Sequence, residues 1–292
     1  MFRIAYVNGR YERAADAAVH IEDRGYQFAD GVYEVVAVVG GVLVDAVPHM
    51  ARLKRSLKEL AIAWPVSRRA LSHIISEVVR RNGIDYGMIY LQITRGVAPR
   101  DHAFPSGVRP ALVVMAKRLM PPRPEFVERG VSVITVPDIR WQRCDIKSVS
   151  LLPNVLGKQL AKEAGAYEAW QVSADGYITE GTSTNAWIVD RRGALITHPA
   201  NPAILGGITR QSVLKVARSQ NIKVIERRFT FKDVIAAREA FLTSTTAAVL
   251  PVVAVDGRKI GNGRPGPVTL DLRERYIGTL TRQLRRAKGS GS

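Results

Sequence analysis

Cysteine is almost absent from this sequence of 292 residues, because Cys144 stands alone. A single cysteine excludes a disulfide within the chain and is typical of a reducing compartment. Long apolar runs are absent as well. The first residues contain no stretch of the signal-peptide kind, and no window approaches the roughly 18 apolar residues of a membrane helix. We therefore expect a cytoplasmic protein with no membrane partner.

Acidic residues are also scarce, with 26 Asp and Glu against 43 Lys and Arg and a formal net charge of +17. Such a charge suggests nucleic-acid binding. However, no stretch interleaves aromatic residues with glycine, no zinc-finger spacing occurs, and the basic residues form scattered pairs. We therefore predict no nucleic-acid partner and keep nucleic-acid binding as a remote alternative to a basic surface that attracts anionic substrates. The pairs are Arg68-Arg69, Arg80-Arg81, Arg191-Arg192, Arg227-Arg228 and Arg285-Arg286.

Several catalytic and binding motifs are missing. The five histidines never stand four residues apart, so the sequence predicts no helical metal site. No Gly-x-Ser-x-Gly segment occurs, which leaves a serine hydrolase unsupported. Residues 261–266 match the Gly-x-Gly-x-x-Gly string of dinucleotide-binding proteins, but they follow an Asp256-Gly257 turn. Too little chain remains after them for a helix and a second parallel strand, so we interpret them as a loop.

Strand and helix signals are mixed along the chain. Asn8-Gly9 joins two strands in a predicted hairpin over 4–13, and Gly40-Gly41 joins a second pair over 32–44. Ser67 is the predicted cap of a helix with an apolar face. Further helices are predicted after Pro48, over 152–164, from about Thr209 and over 268–286, and further strands over 88–94, 111–116, 131–135, 168–172, 186–189 and 195–197.

A proline-rich segment divides the chain into two predicted domains. Residues 118–124, Arg-Leu-Met-Pro-Pro-Arg-Pro, stiffen the chain and cannot continue a strand or a helix. They separate a small N-terminal domain, residues 1–117, from a larger domain, residues 125–288. Residues 289–292 resemble a tail added for protein expression. The predicted fold class is α+β with two domains.

Lys147 is the first candidate for chemistry. Ile146 precedes it, and the apolar Val149, Leu151 and Leu152 follow it, which indicates a lysine within buried structure. Burial favours the neutral form of an amine, and the neutral amine is the form that makes a Schiff base. The alternative for a lysine in a mixed sequence is a solvated surface residue.

Three further segments combine glycine with hydroxyl side chains. Residues 179–185, Thr-Glu-Gly-Thr-Ser-Thr-Asn, place one carboxylate in a run that can also be an ordinary turn. Residues 205–210, Leu-Gly-Gly-Ile-Thr-Arg, begin a predicted helix, where backbone N–H groups can converge on an anion or simply be capped. Residues 243–247, Thr-Ser-Thr-Thr-Ala, form a loop at a strand end that can hold phosphate.

Together these four segments, in this order, resemble the fold-type IV pyridoxal-phosphate enzymes, the class IV aminotransferases, and most closely the D-amino acid aminotransferases. The resemblance extends from the Tyr-Val-Asn-Gly segment at 6–9 to the Leu-Pro-Val segment at 250–252. It implies a smaller N-terminal α/β domain and a larger C-terminal mixed α/β domain, with pyridoxal 5'-phosphate between them.

The resemblance also implies residue roles. Lys147 is similar to the family's Schiff-base lysine, which also moves the Cα proton. Glu180 is similar to the carboxylate that keeps the pyridine nitrogen protonated, so that the ring can accept electrons. Arg52 resembles the phosphate-binding arginine, although taken alone it can be a helix-surface residue. The other residues that the resemblance assigns to cofactor binding are Ser183, Ile208, Thr209, Ser244, Thr245 and Thr246.

The loop over 94–105 bears on the substrate. Arg100 and His102 resemble the α-carboxylate trap of D-amino acid aminotransferases, with Tyr33 helping, because an arginine offers a two-pronged fork and a histidine or phenol adds a donor. The alternatives are a solvated loop and a tyrosine packed in the core. The resemblance further implies a homodimer, in which this loop reaches the neighbouring subunit's site, and an exchange of amino groups between D-amino acids and 2-oxo acids.

Two other activities of the same fold stay open. A branched-chain L-amino acid aminotransferase would use the same cofactor residues, and the Arg100–His102 pair argues against it without excluding it. A lyase of the aminodeoxychorismate type shares these residues too, but eliminates pyruvate.

Overall fold

The computed structural model describes residues 3–121 and 123–289. The chain forms two compact units. One comprises Met1–Pro121, Ile146–Ser150 and Leu284–Ser292, and the other comprises Pro122–Asp145 and Leu151–Gln283, as far as these residues are described. The predicted tail over 289–292 lies outside the described residues except for Gly289, which ends the last helix. The predicted domain boundary at 118–124 stays a prediction.

The first unit contains one antiparallel sheet of six strands in the order β2-β1-β6-β5-β3-β4. Asn8 and Gly9 have φ angles of 45° and 103°, the positive values that a two-residue hairpin turn requires, so the first predicted hairpin is confirmed. The strands are β1 Ile4–Val7, β2 Arg10–Arg13, β3 Gly31–Val39, β4 Val42–Leu43, β5 Tyr86–Thr94 and β6 Ala111–Arg118.

Three helices belong to this unit: α1 Arg24–Phe28, α2 Ala46–Glu59 and α3 Arg68–Arg81. Ser67 caps α3 as predicted, because its hydroxyl accepts a hydrogen bond from the Ala70 N–H at 3.2 Å. The apolar faces of α2 and α3 are buried in one core with the sheet. The buried face of α2 also contains the polar His49, Arg52 and Ser56, at the spacing that puts them on one side of a helix.

The second unit contains a mixed sheet of ten strands in the order β12-β11-β10-β14-β15-β7-β8-β9-β13, with β16 beside β15. Three pairs are parallel, β11–β12, β15–β7 and β7–β8, and the other pairs are antiparallel. The strands are β7 Val131–Pro137, β8 Glu168–Val172, β9 Tyr177–Gly181, β10 Asn185–Val189, β11 Leu195–Thr197, β12 Val224–Glu226, β13 Phe229–Thr230, β14 Glu239–Ser244, β15 Ala248–Val255 and β16 Arg258–Lys259.

Four helices and most of a fifth, α8, complete the described part of the second unit. Three apolar clusters pack them on the sheet: one contains Trp170 and Phe229, one contains Trp187 stacked on Phe241 at 5.3 Å, and a small one joins Ala161 of α5 to the sheet. Both kinds of element occur in both units, so the predicted α+β class is confirmed. The helices are α4 Pro124–Glu128, α5 Leu152–Glu163, α6 Ile208–Ser219, α7 Phe231–Ala236 and α8 Pro267–Gly289.

One expectation about local structure was wrong. The proline-rich segment does not interrupt regular structure over its whole length, because β6 continues to Arg118 and α4 begins at Pro124. Proline is accepted in the first turn of a helix, where its missing N–H would have no partner. The run over 179–185, for which an ordinary turn was the alternative, begins in the strand β9. Across residues 3–121 and 123–289, no helix is long and apolar enough to cross a membrane.

Candidate active site

Lys147 lies in a short segment that pairs with the beginning of β3. The Tyr33 N–H donates to the Lys147 carbonyl at 3.0 Å, and the Val149 N–H donates to the Gly31 carbonyl at 3.0 Å. The Lys147 N–H donates to the Ser56 hydroxyl of α2 at 3.2 Å. The lysine backbone is therefore fixed on both sides, while its side chain is half-buried.

The Lys147 side chain lies over an aromatic face. Its Nζ is 4.0 Å from the centre of the Tyr33 ring, which stacks on Tyr90 at 5.6 Å. Burial, together with the nearby Tyr33, raises the pKa of Tyr90 to about 12, so Tyr90 stays a neutral phenol. The structure thus brings together two residues that the sequence predicted for one site, Lys147 and Tyr33.

Arg52, on α2, pairs with Glu34 of β3. Its Nε and Nη2 donate to the two Glu34 oxygens at 2.7 Å each, and the His49 Nδ1 lies 2.8 Å from Glu34 Oε2. Burial alone would raise the pKa of Glu34, but the charge and hydrogen bonds of Arg52 and His49 lower it to about 2. Burial also lowers the pKa of His49. Arg52 is therefore fixed in place by a permanent anion.

Arg100 and His102 are exposed and share one contact. The Arg100 guanidinium carbon is 4.8 Å from the centre of the Phe28 ring, and the His102 ring centre is 5.3 Å from it. Both predicted substrate residues therefore rest on one aromatic side chain of α1.

Glu180, on β9, is buried and surrounded by donors. Asn185 Nδ2 donates to Oε2 at 2.8 Å, the Leu205 N–H approaches both oxygens at 3.1 Å, and Arg140 Nη1 donates to Oε1. Burial raises the pKa of Glu180 to about 7, because it outweighs the charge and hydrogen bond of Arg140 and the Leu205 N–H. Near neutral pH this carboxyl can therefore hold or release a proton.

Arg140 is shared between two carboxylates. Its Nη2 donates to Asp138 Oδ2 at 2.7 Å, and its Nε donates to Asp138 Oδ1 at 2.9 Å. The Thr179 hydroxyl donates to the same Asp138 carboxylate at 2.7 Å. Burial opposes the charge of Arg140, but Asp138 and Glu180 raise its pKa above the ordinary value, so Arg140 remains a cation.

Asn185 joins three of the predicted segments. Its Nδ2 donates to Glu180 and, at 2.9 Å, to the Leu205 carbonyl, while its backbone pairs with Thr243 of β14. A Cβ on Gly207 would lie 2.1 Å from Asn185 Oδ1, so only glycine allows this close approach. The sequence runs at 179–185, 205–210 and 243–247 are therefore neighbours in the second unit.

Ile208 and Thr209 form the buried first turn of α6. Gly207 is its N-cap and supplies no side-chain hydrogen bond, so the N–H groups of the first turn are suited to an anionic ligand. Ser244 ends β14, and its hydroxyl accepts from the Ala247 N–H at 3.1 Å. Thr245 and Thr246 follow in the same turn.

Ser183 donates its hydrogen bonds to the carboxylate of Glu168. Its hydroxyl and its N–H donate to Glu168 Oε2 at 2.9 Å and 3.2 Å, and the Thr182 hydroxyl donates to Oε1. Glu168 is fully buried and thus fixes the turn that follows Glu180. The cofactor role predicted for Ser183 stays a prediction.

Sequence reasoning missed the partners of the predicted residues. Most of these partners occupy buried positions in strands or helices, where a polar residue interrupts an apolar pattern, and that interruption is the signal that was available. Asp138 and Arg140 instead lie half-buried in the loop after β7. Asp138-Ile-Arg140, directly after β7, was also visible as an isolated charge pair. The missed residues are Glu34, His49, Asp138, Arg140, Glu168 and Asn185.

Comparison with known proteins identifies the class. A model of amino-transferase class IV matches residues 31–255, and the chain belongs to this family. It is therefore an aminotransferase, which acts on amino acids and 2-oxo acids, and the predicted cofactor, pyridoxal 5'-phosphate, is that of the family.

Named relatives follow from sequence and from structure. The chain is 44% identical to a D-alanine aminotransferase of Bacillus licheniformis over 90% of this chain and 92% of that one. It is 40% identical to a D-alanine aminotransferase of Staphylococcus haemolyticus over 93% and 95%. A branched-chain amino acid aminotransferase of Escherichia coli has the same fold, with a TM-score of 0.88, 26% identity, and coverage of 96% of this chain and 95% of that one.

Proposed function

We propose that this enzyme exchanges amino groups between D-amino acids and 2-oxo acids. The main support for a preference for D-amino acids is sequence similarity: D-alanine aminotransferases are 38–44% identical to this chain over at least 90% of its length. The solved branched-chain enzymes are 26–27% identical at comparable coverage. D-Alanine is accordingly the first substrate to test, and a 2-oxo acid such as pyruvate or 2-oxoglutarate is the acceptor.

The donor set fits pyridoxal phosphate. A half-buried amine at Lys147 is available for a Schiff base, the protonatable Glu180 suits a pyridine nitrogen, and the first turn of α6 at Ile208 and Thr209 suits a phosphate. Arg52, a cation that Glu34 fixes in place, is the proposed phosphate-binding arginine. Ser183, Ser244, Thr245 and Thr246 complete the proposed set. When bound, the cofactor supplies an electron-withdrawing ring that stabilises negative charge at the substrate Cα.

The protein's own groups supply the proton chemistry. A free Lys147 amine would be the base that takes the proton from the substrate Cα and delivers it to the cofactor, as the exchange of an amino group requires. Tyr33 keeps the amine over its ring face at 4.0 Å, which limits the directions from which the amine can attack. Glu180 holds the proton shared with the ring nitrogen. Arg140 stays charged and keeps Glu180 in place.

Arg100, His102 and Tyr33 are the proposed α-carboxylate site. A guanidinium and an imidazole in one loop can bind a carboxylate through charge-assisted hydrogen bonds. The loop is exposed and carries Phe104, which is 63% exposed, and both features support a homodimer in which it serves a neighbouring subunit. Measurement of the molecular mass in solution tests the dimer. Cytoplasmic location stays a prediction.

A branched-chain L-amino acid aminotransferase is the second candidate, favoured by structural similarity over 95–96% of the chain. The experiment that decides adds D-alanine, L-leucine and a simple (R)-amine separately to the holoenzyme and records conversion of the cofactor spectrum. We expect conversion by D-alanine. Conversion by L-leucine alone would contradict the proposal.

The attachment residue needs a matched control. Lys147→Ala is expected to abolish the visible absorbance of the bound cofactor. Lys158 also lies near a tyrosine ring, with its Nζ 5.1 Å from the centre of Tyr167. Lys158→Ala should therefore retain the absorbance. A coloured Lys147→Ala protein would remove Lys147 from the proposed role.

A further inference from the structure

Arg24, at the beginning of α1, is 3% exposed and donates in three directions. Its Nε donates to Asp30 Oδ2 at 2.8 Å. Its Nη1 donates to the Asp101 carbonyl at 2.5 Å, and its Nη2 lies 3.4 Å from the His102 carbonyl. Two of these three acceptors are main-chain atoms of the loop that contains Arg100 and His102.

Asp30 does not require Arg24 as a partner. Arg95 already meets both Asp30 oxygens, with Nε at 2.7 Å from Oδ2 and Nη2 at 3.0 Å from Oδ1. Arg95 is in turn anchored to the Leu60 carbonyl at 2.7 Å. Removing a second guanidinium from water is costly, and a carboxylate that is already paired compensates only part of that cost. The contacts of Arg24 with the loop account for its presence.

Phe28, at the other end of α1, contacts the side chains of the same loop. The Arg24 guanidinium carbon is 4.7 Å from the Phe28 ring centre, and the Arg100 guanidinium carbon is 4.8 Å from it. The His102 ring lies beside it as well. The five residues of α1 thus hold the loop by its main chain and by both predicted substrate side chains.

The helix α1 is itself fixed to the end of β5. The Asp23 carboxylate accepts from the Gly25 N–H at 2.8 Å and from the Thr94 hydroxyl at 2.9 Å. A Cβ on Gly25 would lie 2.2 Å from Thr94 Cγ2, so α1 approaches the strand as closely as glycine permits. A helix fixed in this way can define the position of the loop.

We infer that Arg24 is a positioning residue for substrate binding: it fixes the main chain at Asp101 and His102, and thereby aims the Arg100 and His102 side chains at the substrate α-carboxylate. This inference rests on the proposed function. It assigns to Arg24 no contact with substrate or cofactor.

The test uses Arg24→Lys in the holoenzyme. Lysine keeps the positive charge beside Asp30 but presents one ammonium, which cannot reach an aspartate and two carbonyls as a planar guanidinium does. We expect KM for D-alanine to rise about tenfold, which corresponds to about 1.4 kcal/mol. We expect kcat to change by less than about twofold, and the rate with an (R)-amine that lacks a carboxylate to stay unchanged.

A second readout is independent of turnover. Amide hydrogen exchange over 99–105 should become faster in Arg24→Lys, because the two carbonyl contacts that restrain the loop are weakened, while exchange over β3 and β5 stays as in the wild type. Phe28→Leu keeps an apolar side chain beneath the loop but removes the ring that Arg100 and His102 contact. It should therefore raise KM for D-alanine as Arg24→Lys does, with kcat little changed. Faster exchange throughout the first unit, or a KM for D-alanine within twofold of wild type, would overturn the inference.

Arg118→Lys is the matched control. Arg118 also donates to a main-chain carbonyl of the first unit, Gly83 at 2.5 Å, but it is exposed and lies beside Gly87, at the end of β5 away from the loop. It should leave both readouts unchanged. Arg100→Ala distinguishes failure of the proposed substrate site from failure of the role of Arg24. If it raises KM for D-alanine and Arg24→Lys does not, only the role of Arg24 fails. If Arg100→Ala has no effect, the proposed substrate site fails and the inference fails with it.

Discussion

Two buried glutamates, one in each unit, are both paired with an arginine, yet their acidities move in opposite directions. The pKa of Glu34 is lowered to about 2, and that of Glu180 is raised to about 7. Glu34 is 0% exposed and Glu180 is 5% exposed, so burial alone does not separate them. The difference lies in how each arginine is shared.

Glu34 receives both prongs of its arginine. Arg52 Nε and Nη2 meet one carboxylate oxygen each, and His49 adds a third contact. Glu180 receives one prong of Arg140, whose other nitrogens bind Asp138, and the Asp138 charge itself opposes ionisation of Glu180. The remaining donors to Glu180, Asn185 and the Leu205 N–H, are neutral. A two-pronged charged contact outweighs burial, and a shared one does not.

The comparison teaches that a buried Glu–Arg pair does not define a role by itself. Glu34 is a permanent anion, suited to fix Arg52. Glu180 can change its protonation near neutral pH, which suits the role proposed for it beside a pyridine nitrogen. Four predictions test this contrast.

The largest expected effect is on stability. Glu34→Gln leaves the Arg52 charge buried without its counter-ion, so the free energy of unfolding should fall by about 3–5 kcal/mol. Urea denaturation measures it. Glu77 is the control, because Arg80 and Arg81 lower its pKa to about 2 as well, but on the surface. Glu77→Gln should unfold as the wild type does. Equal losses from both variants would contradict a special role for the buried pair.

The two glutamates should also give opposite dependences of stability on pH in the protein freed of cofactor. The ionised Glu34 contributes fully to the free energy of unfolding above its ordinary pKa of 4.5, and that contribution is lost as the pH falls towards 2. Glu180 keeps its proton in the folded state up to about pH 7 while the unfolded chain releases it near 4.5, so stability falls as the pH rises between these values. Each effect amounts to about 3 kcal/mol.

Denaturation of the wild type and of each Gln variant over this pH range isolates the two contributions. The difference between wild type and Glu180→Gln should slope downward from pH 4.5 to 7. An upward slope would mean that Glu180 is a fixed anion like Glu34.

Glu180→Gln should reduce kcat for D-alanine about 100-fold, on the order of 2.7 kcal/mol, because an amide cannot keep a ring nitrogen protonated. Its free energy of unfolding should match that of the wild type near pH 4.5 and exceed it by up to about 3 kcal/mol near pH 7, since glutamine has the shape of a protonated glutamate and does not titrate. Stopped-flow spectroscopy gives the rate and denaturation gives the stability. Loss of both together would indicate a structural role only.

The smallest expected effect concerns Arg140. Arg140→Gln removes the cation that lowers the pKa of Glu180, so that pKa should rise above 7 by about one unit, or about 1.4 kcal/mol. Infrared absorption of the protonated carboxyl, followed against pH, measures the change. A pKa of Glu180 that falls in this variant would contradict the balance described above.

Patterns within a few residues were predictable from the sequence. The Asn8-Gly9 hairpin, the Ser67 cap and the segments around Lys147, Glu180 and Ile208 depend on local chemistry, and the first two appear as predicted. The short helices α1 and α7 were missed, because five or six residues make less than two turns of helix and give no periodic signal.

Contacts between distant residues were not predictable. Arg24 meets Asp101 across 77 positions, and Arg140 meets Glu180 across 40, and no spacing rule connects such pairs. The resemblance assigned Arg52 to a phosphate but gave no indication that Glu34 holds it. Motifs in the sequence suggested the roles of single residues. The neighbouring groups that hold those residues in place could be identified only from the structure.

The most direct measurement follows the two carboxyl groups themselves. Protein labelled with ¹³C at the glutamate carboxyl carbon and freed of cofactor is titrated by NMR from about pH 4 to 9, and Glu34→Gln and Glu180→Gln assign the resonances. We predict that the Glu180 resonance titrates with a midpoint near 7 and that the Glu34 resonance does not move. A Glu180 midpoint near the ordinary 4.5, or a Glu34 resonance that titrates within this range, would contradict the account.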